Sequence, residues 1–256
     1  MSQEPPVDSN LLQENAPCSK CSKCGYVATL LSALIAGAIT YGLFQSLYPI
    51  FSIPQEVLDR APPGPLPADI QAELTTAKVF ADGQNATLFV GLFGALLAGM
   101  MTIGSSLGNK YVSKLLQRTA ICVLVGLLVG CAAGCFGHLL TETIRFNRSF
   151  SPLVKTLIGQ AALLGTLGAG VGYAFGTFAK QYRSPASCAI QGLLGGLLAA
   201  FIYPILIAIL QPAANTSVFI PKEPGSRLTW IFIAAALLGA MIPSSLAKPK
   251  QTERDA

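Results

Sequence analysis

Charged side chains are scarce in this sequence of 256 residues, in which aspartate, glutamate, lysine and arginine together account for 11%. Soluble domains contain about 25% of these residues, and no soluble core could bury the 52% of apolar residues present here. The charges that do occur lie between and beyond the long apolar runs, and none falls in the middle of a run. Because ion-coupled transporters and pumps place ionisable groups inside the membrane, the sequence disfavours that mechanism.

Catalytic and nucleic-acid-binding signatures are also missing. Histidine occurs only once, at His138, and no recognisable catalytic motif accompanies it. The net charge of +5 is modest and spread over loops and tails, with no basic stripe interleaved with aromatic residues. We therefore predict a protein that is not an enzyme and that does not bind nucleic acid.

Long apolar runs dominate what is present. The clearest spans residues 120–140 and carries no charge. A helix of this length crosses a hydrocarbon layer of about 30 Å, because each residue adds about 1.5 Å. The sequence predicts an all-α polytopic membrane protein whose partner is the lipid bilayer, with six transmembrane helices at about residues 25–47, 86–107, 119–140, 153–178, 187–210 and 228–246.

Polar segments flank this six-helix domain, which we place at residues 25–247. Residues 1–24 and 248–256 are polar tails, and the first is predicted to be disordered because it contains too few apolar residues to fold alone. Residues 48–85 form an outer loop, in which apolar side chains recur at helical spacing over 68–81. We predict a short amphipathic helix at the membrane surface there, with Asp82-Gly83 as the turn into the next span.

Lysine and arginine are distributed unequally over the two sides of the predicted helices. With the amino terminus inside, the inner segments contain ten of these residues and the outer segments seven. Cytoplasmic loops carry the excess of positive charge. We therefore predict that both termini are cytoplasmic, in a plasma (inner) membrane.

Glycine recurs at helical spacing in several spans. Gly126, Gly130 and Gly134 occur one per turn in the third span. In lipid, such small residues let two helix backbones approach closely. We predict a glycine zipper, with helix contacts through Gly126, Gly130, Gly134, Gly168, Gly172, Gly176, Gly192 and Gly196.

Similar strings recur along the chain. ALLAGM at 95–100, ALLGTL at 162–167 and ALLGAM at 236–241 lie in spans two, four and six, while GLLVG at 126–130 and GLLGG at 192–196 lie in spans three and five. The pattern is that of three tandem helical hairpins, an arrangement of parallel repeats found in some transporters. The alternative is that spans rich in alanine, leucine and glycine produce such strings by composition alone.

Two groups of cysteines could bind a metal. Cys131, Cys135 and His138 follow one another at steps of four and three residues, which brings them within about 60° of one another around a helix. They form a partial site for zinc, copper or haem iron that would need a fourth ligand from another span. The alternative is that the cysteines pack as small apolar residues and that His138 reaches interfacial water or a carbonyl.

The amino-terminal tail contains the second group, Cys18, Cys21 and Cys24. Three thiolates at this spacing can chelate a metal such as Zn, but a closed tetrahedral site needs a fourth ligand, which a second copy of the protein could supply. Otherwise the tail is a cluster of reduced thiols or a lipid attachment site.

Three functions follow from these observations. The first is a structural or assembly unit packed through glycine-rich helix faces, in contact with itself or another membrane protein. The second is a permease or channel for a small neutral solute, lined by the uncharged polar residues of the spans. The third is a metal- or redox-responsive membrane protein that uses the tail thiols.

Overall fold

The computed structural model describes residues 19–60, 67–107, 114–145, 149–178, 184–211 and 220–245. These residues form α-helices and a carboxyl-terminal 3-10 turn, and they contain no β-strand. Six of the helices are long and apolar enough to cross a membrane, which confirms the all-α, six-span prediction. The helices are α1 (Ser19–Leu47), α2 (Gln55–Asp59), α3 (Ala68–Leu107), α4 (Leu115–Arg145), α5 (Pro152–Phe178), α6 (Pro185–Leu210) and α7 (Pro224–Met241), followed by the turn Ile242–Ser245.

Helix α3 differs most from the sequence prediction. Its 40 residues run without a break from the segment predicted as a separate amphipathic helix through the second span, and no turn occurs at Asp82-Gly83. A helix of this length measures about 60 Å, twice the hydrocarbon thickness. Gly83 lies at a contact between α3 and α4 instead of at a turn, since a Cβ there would lie 2.8 Å from the ring of His138 on α4.

Other helix ends also differ. Helix α1 begins at Ser19, inside the tail predicted to be disordered. The buried Pro204 lies inside α6, and the helix continues through it. Helix α7 ends at Met241, and Pro243 lies in the 3-10 turn that follows. Proline has no N–H for the helical hydrogen bond one turn back, which explains why the α-helix stops there.

The six spans form an inner group of three and an outer group of three. The apolar windows of α3, α5 and α7 are 67%, 56% and 50% buried, against 39%, 33% and 39% for α1, α4 and α6. Each outer helix packs into the groove between two inner ones: α4 contacts α3 and α5, α6 contacts α5 and α7, and α1 contacts α7 and α3. The outer helices therefore expose one apolar face each, as a lipid-facing surface requires.

Aromatic and amide side chains join the three inner helices. The ring of Phe93 on α3 lies 6.0 Å from that of Trp230 on α7, measured between centroids. The indole Nε1 of Trp230 donates a hydrogen bond of 2.8 Å to Oε1 of Gln160 on α5. Both polar groups are buried, so each satisfies the other where water is excluded.

Glycines face the backbone of the neighbouring helix along two seams. Between α3 and α4, a Cβ at Gly126 would meet the carbonyl of Gly94, one at Gly130 the carbonyl of Val90, and one at Gly134 the carbonyl of Ala86. Between α5 and α6, the same holds for Gly168 with Gly192, Gly172 with Cys188, and Gly196 with Leu164, while a Cβ at Gly176 would lie 2.8 Å from the Cα of Pro185. Each predicted packing glycine thus lies where a larger residue would push two backbones apart.

The three pairs of inner and outer helices do not share one register. Helices α1 and α7 form a looser third seam, in which Gly37 faces Ala235 and Gly239 faces Ala33. Gly94, one residue before the string at 95–100, faces Gly126, the first residue of the string at 126–130. If the strings at 162–167 and 192–196 occupied equivalent positions, Gly192 would face Ala161 on α5. Gly192 instead faces Gly168, seven positions later. The arrangement of helices repeats three times, but the strings do not occupy equivalent positions within it.

We expect Gly130→Ala to destabilise the fold by about 1–3 kcal/mol, because a methyl group there would overpack the α3–α4 seam. A matched control is Gly42→Ala in α1, where a Cβ would meet nothing within 4 Å. Thermal unfolding of both variants in detergent measures the difference. Equal melting temperatures for the two would contradict the packing role of Gly130.

Candidate functional site

Polar and charged residues collect at one end of the bundle, which we call the first-loop end. It comprises residues 48–60, the first turns of α3, the junction of α4 with α5, and the start of α7. Residues 68–85 of α3 precede the span predicted at 86–107, and these 18 residues extend about 27 Å along the helix axis. The first-loop end therefore has its own wall of helix beyond the apolar bundle.

Asn85 attaches the segment after α1 to α3. Its Oδ1 accepts hydrogen bonds from the backbone N–H groups of Ile50 and Phe51, both at 3.0 Å, and its Nδ2 donates to the carbonyl of Phe51 at 2.7 Å. The side chain is 1% exposed. Although Asn85-Ala-Thr matches the N-glycosylation pattern, this asparagine is fully engaged inside the protein.

Arg227 joins the end of α1 to the start of α7. It is 5% exposed, and its guanidinium donates to the carbonyls of Pro221 at 3.1 Å, Lys222 at 2.9 Å and Phe44 at 3.5 Å. Its Cζ also lies 4.7 Å from the centre of the Tyr48 ring. Among the described residues no carboxylate forms an ion pair with it. The charge is held by carbonyl dipoles, including one at the carboxyl end of α1, and by an aromatic face.

Two cavities open between these elements. The first has a volume of about 550 Å³ and lies between the segment after α1 and the first half of α3. The second, which we call the basic cavity, has a volume of about 510 Å³ and lies between α3, the end of α4, the start of α5 and the segment before α7. Both are lined by Tyr48, Lys78, Asp82 and Lys222.

Cations outnumber anions around the basic cavity. Lys78, Arg145, Lys155 and Lys222 line it, against the two carboxylates of Asp82 and Glu142, which leaves a net charge of +2 with His138 neutral. Arg145 pairs with Glu142 at 3.3 Å, and Lys222 approaches Asp82 at 4.0 Å. Lys155 donates to the carbonyl of Arg145 at 2.7 Å, which compensates its charge only through a dipole.

Tyr48 contributes a hydroxyl to both cavities. Burial raises the pKa of its phenol, nearby Asp82 raises it further, and Arg227 lowers it. The pKa of Tyr48 is raised overall, so its hydroxyl stays protonated at neutral pH and can donate a hydrogen bond.

The three residues predicted to bind a metal within the third span have different surroundings in the structure. Cys131 is half-buried, Cys135 is exposed on the outer face of α4, and the ring of His138 packs over Gly83 at the basic cavity. Within the described ranges, no three histidine, cysteine or acidic side chains come close enough to hold a metal ion. Cys131 and Cys135 are four residues apart and differ by about 40° around the helix, so Cys135 lies just beyond the contact that Cys131 makes beside Gly91.

The tail cluster cannot be placed in the same way. Cys18 lies outside the described residues, and for Cys21 and Cys24 only their position in α1 is described. Zinc binding by this cluster stays a prediction.

Hydroxyl groups inside the spans bond to their own helices. Several donate to a carbonyl one turn earlier, as in Thr29 to Gly25, Thr40 to Ala36, Thr102 to Ala98 and Thr177 to Tyr173. These bonds satisfy the four hydroxyls within their own helices, so none of the four needs a solute or a second helix as a partner.

Sequence analysis missed the two residues that organise the first-loop end. In the sequence, Asn85 only matches the three-residue N-glycosylation pattern, and Arg227 is one of seven lysines and arginines in the outer segments. One signal was available for Arg227: it directly precedes the last apolar run, where a cation enters the membrane only with partners.

Comparisons with known proteins return no relative. No protein family model matches this chain, and neither a curated protein nor a solved structure is similar to it.

We expect Asn85→Ala to destabilise the first-loop end by about 1–3 kcal/mol, because the backbone of Ile50 and Phe51 would lose three hydrogen bonds to the buried Asn85 side chain. Limited proteolysis within residues 48–60, together with thermal unfolding, measures the effect. Gln71→Ala is the control, since this side chain is exposed on the same helix. Cleavage at the same rate in both variants would show that Asn85 does not hold the segment.

Proposed function

We propose that this protein is a non-enzymatic membrane scaffold that holds a polar platform at one face of the bilayer. The observation that carries the proposal is the solid interior of the bundle. Between α3, α5 and α7 the space is filled by large side chains that are less than 2% exposed, including Phe93, Leu97, Met101, Leu163, Leu167 and Trp230. A solute path requires polar or open space at this position, whereas a scaffold requires rigidity.

The platform is the first-loop end. Three contacts brace residues 68–85 of α3 against the rest of the protein: the hydrogen bonds of Asn85, the 3.2 Å ion pair of Arg60 with Glu73, and the approach of Lys222 to Asp82. The ion pairs are solvent-exposed and each contributes about 0–1 kcal/mol, so the buried Asn85 supplies most of the stabilisation. The transmembrane bundle fixes the orientation of this wall.

An assembly role also needs a surface for a partner. The outward face of α6 carries large apolar side chains that are 39–70% exposed over five turns: Ile190, Leu193, Leu194, Leu198, Phe201, Ile205 and Ile209. We propose that a second copy of the chain or another membrane protein covers part of this face, with lipid on the remainder.

Orientation belongs to the same proposal. The excess of lysine and arginine on the terminal side favours cytoplasmic termini in the plasma membrane, with the first-loop end on the opposite side. Thr75→Cys at the first-loop end and Lys114→Cys at the other end, in a background without native cysteines, report the topology. An impermeant thiol reagent applied to intact cells should label only the first variant, and labelling of only the second would reverse the orientation.

The scaffold proposal predicts that proteoliposomes containing the purified protein release glycerol and urea no faster than empty liposomes. Stopped-flow light scattering measures this rate. Release several times faster than in empty liposomes would favour the permease hypothesis instead.

The assembly role is tested by a photo-crosslinking residue at Leu194, with Leu163 as the buried control. We expect one adduct of constant mass from position 194 and only intramolecular products from position 163. Twice the chain mass identifies a second copy, and another constant mass identifies a different protein. Adducts with lipid alone along α6 would contradict a partner on this face.

A further inference from the structure

The basic cavity has properties that a packing role does not require. It is a concave space of about 510 Å³ with four cationic side chains contributed by three helices and the segment before α7. Packing alone would favour filling such a space with apolar side chains, as in the interior of the bundle. Like charges gathered around an open space repel one another, and an anion within that space would remove the repulsion.

Two of these cations have no carboxylate partner. Lys78 forms no hydrogen bond or ion pair with any described residue, and it lines both cavities. Lys155 bonds to a backbone carbonyl, which leaves two of its three donor hydrogens for another acceptor. By contrast, Arg145 and Lys222 each have a carboxylate within 4.0 Å. The uncompensated charge of the cavity therefore lies on residues of α3 and α5.

The first turn of α5 adds to the positive potential. Pro152, Lys155 and Thr156 all line the cavity, so the amino-terminal end of this 27-residue helix borders it. Pro152 has no N–H and the N–H groups of Val154 and Lys155 donate to Ser151, so it is the dipole of this end that favours an anion. Tyr48, from the segment after α1, also lines the cavity.

We propose that the basic cavity binds the phosphate group of an anionic ligand, with Lys78 and Lys155 as its principal contacts. A phosphate presents oxygens in several directions, which suits donors arriving from separate walls. A carboxylate presents two oxygens in one plane and would leave part of this set unused. The cavity lies where α4 ends and α5 begins, at the level of the membrane interface, so a phospholipid headgroup or a soluble phosphate ester can supply the group.

The first experiment tests lipid as the source. The full-length protein, purified in a non-ionic detergent, is incubated with phosphatidylglycerol or phosphatidylcholine, and bound lipid is counted by native mass spectrometry. We expect phosphatidylglycerol to be retained and phosphatidylcholine, whose choline adds a positive charge, to be retained less. Lys78→Gln should weaken the retention of phosphatidylglycerol about tenfold, the loss expected for one charge-assisted contact.

Arg60→Gln is the matched control. It removes one positive charge from an exposed position at the same end of the bundle, and Arg60 does not line the basic cavity. A Lys155→Gln variant tests the second contact. Since Lys155 also bonds to the last residue of α4, the Lys78 variant carries the result if the Lys155 variant unfolds.

The second experiment tests a soluble source by calorimetric titration of the lipid-free protein with inorganic phosphate and with acetate. Binding of phosphate that Lys78→Gln weakens, without retention of phosphatidylglycerol, identifies a soluble phosphate ester. Retention of phosphatidylglycerol without binding of free phosphate identifies a lipid. Three outcomes would overturn the proposal: no binding of either probe, equal binding of acetate, or the same loss in Arg60→Gln as in Lys78→Gln.

Discussion

The fold depends on the close approach of helix backbones. Along the α3–α4 and α5–α6 seams, glycine after glycine faces a carbonyl of the neighbouring helix, and a single methyl group would separate them. Moving a leucine from lipid into a helix interface brings no hydrophobic gain, because lipid tails are as apolar as leucine. Association therefore relies on van der Waals contact between closely spaced helix surfaces. The seams make two rigid hairpins, and the looser α1–α7 seam closes the ring around Phe93, Gln160 and Trp230.

Rigidity of the bundle determines what the first-loop end can do. Asn85 and Arg227 are nearly inaccessible to solvent, and each bonds to backbone carbonyls or N–H groups of a different segment. These bonds fix a polar region whose walls come from α3, α4, α5 and the start of α7. The same molecule thus combines an interior of buried, mostly apolar side chains with an end that concentrates positive charge around a cavity. The proposed scaffold with a phosphate-binding end accounts for both properties, and neither depends on a motif in the sequence.

The recurring strings show how far pattern and structure can diverge. Three outer helices do fit into three grooves between inner helices, as tandem hairpins would. Yet Gly192 faces Gly168, seven positions from where the strings would place its partner. Small residues are interchangeable along a seam because any of them permits close approach, so similar strings do not require the same register between helices.

Composition and periodicity are sufficient for the number of spans, their approximate limits and the glycines of the seams. Each of these follows from a local requirement: an apolar run long enough to cross the bilayer, and a small residue once per turn. By contrast, Gly83 lies inside α3 and packs against the ring of His138 on another helix, a contact that no local pattern indicates. Likewise, the partners of Asn85 lie 34 and 35 positions away, and Phe44 lies 183 positions from Arg227. The basic cavity draws its charges from four separate stretches of chain. Contacts of this kind exist only after the helices have packed, because no local spacing encodes which distant carbonyl or ring a side chain will meet.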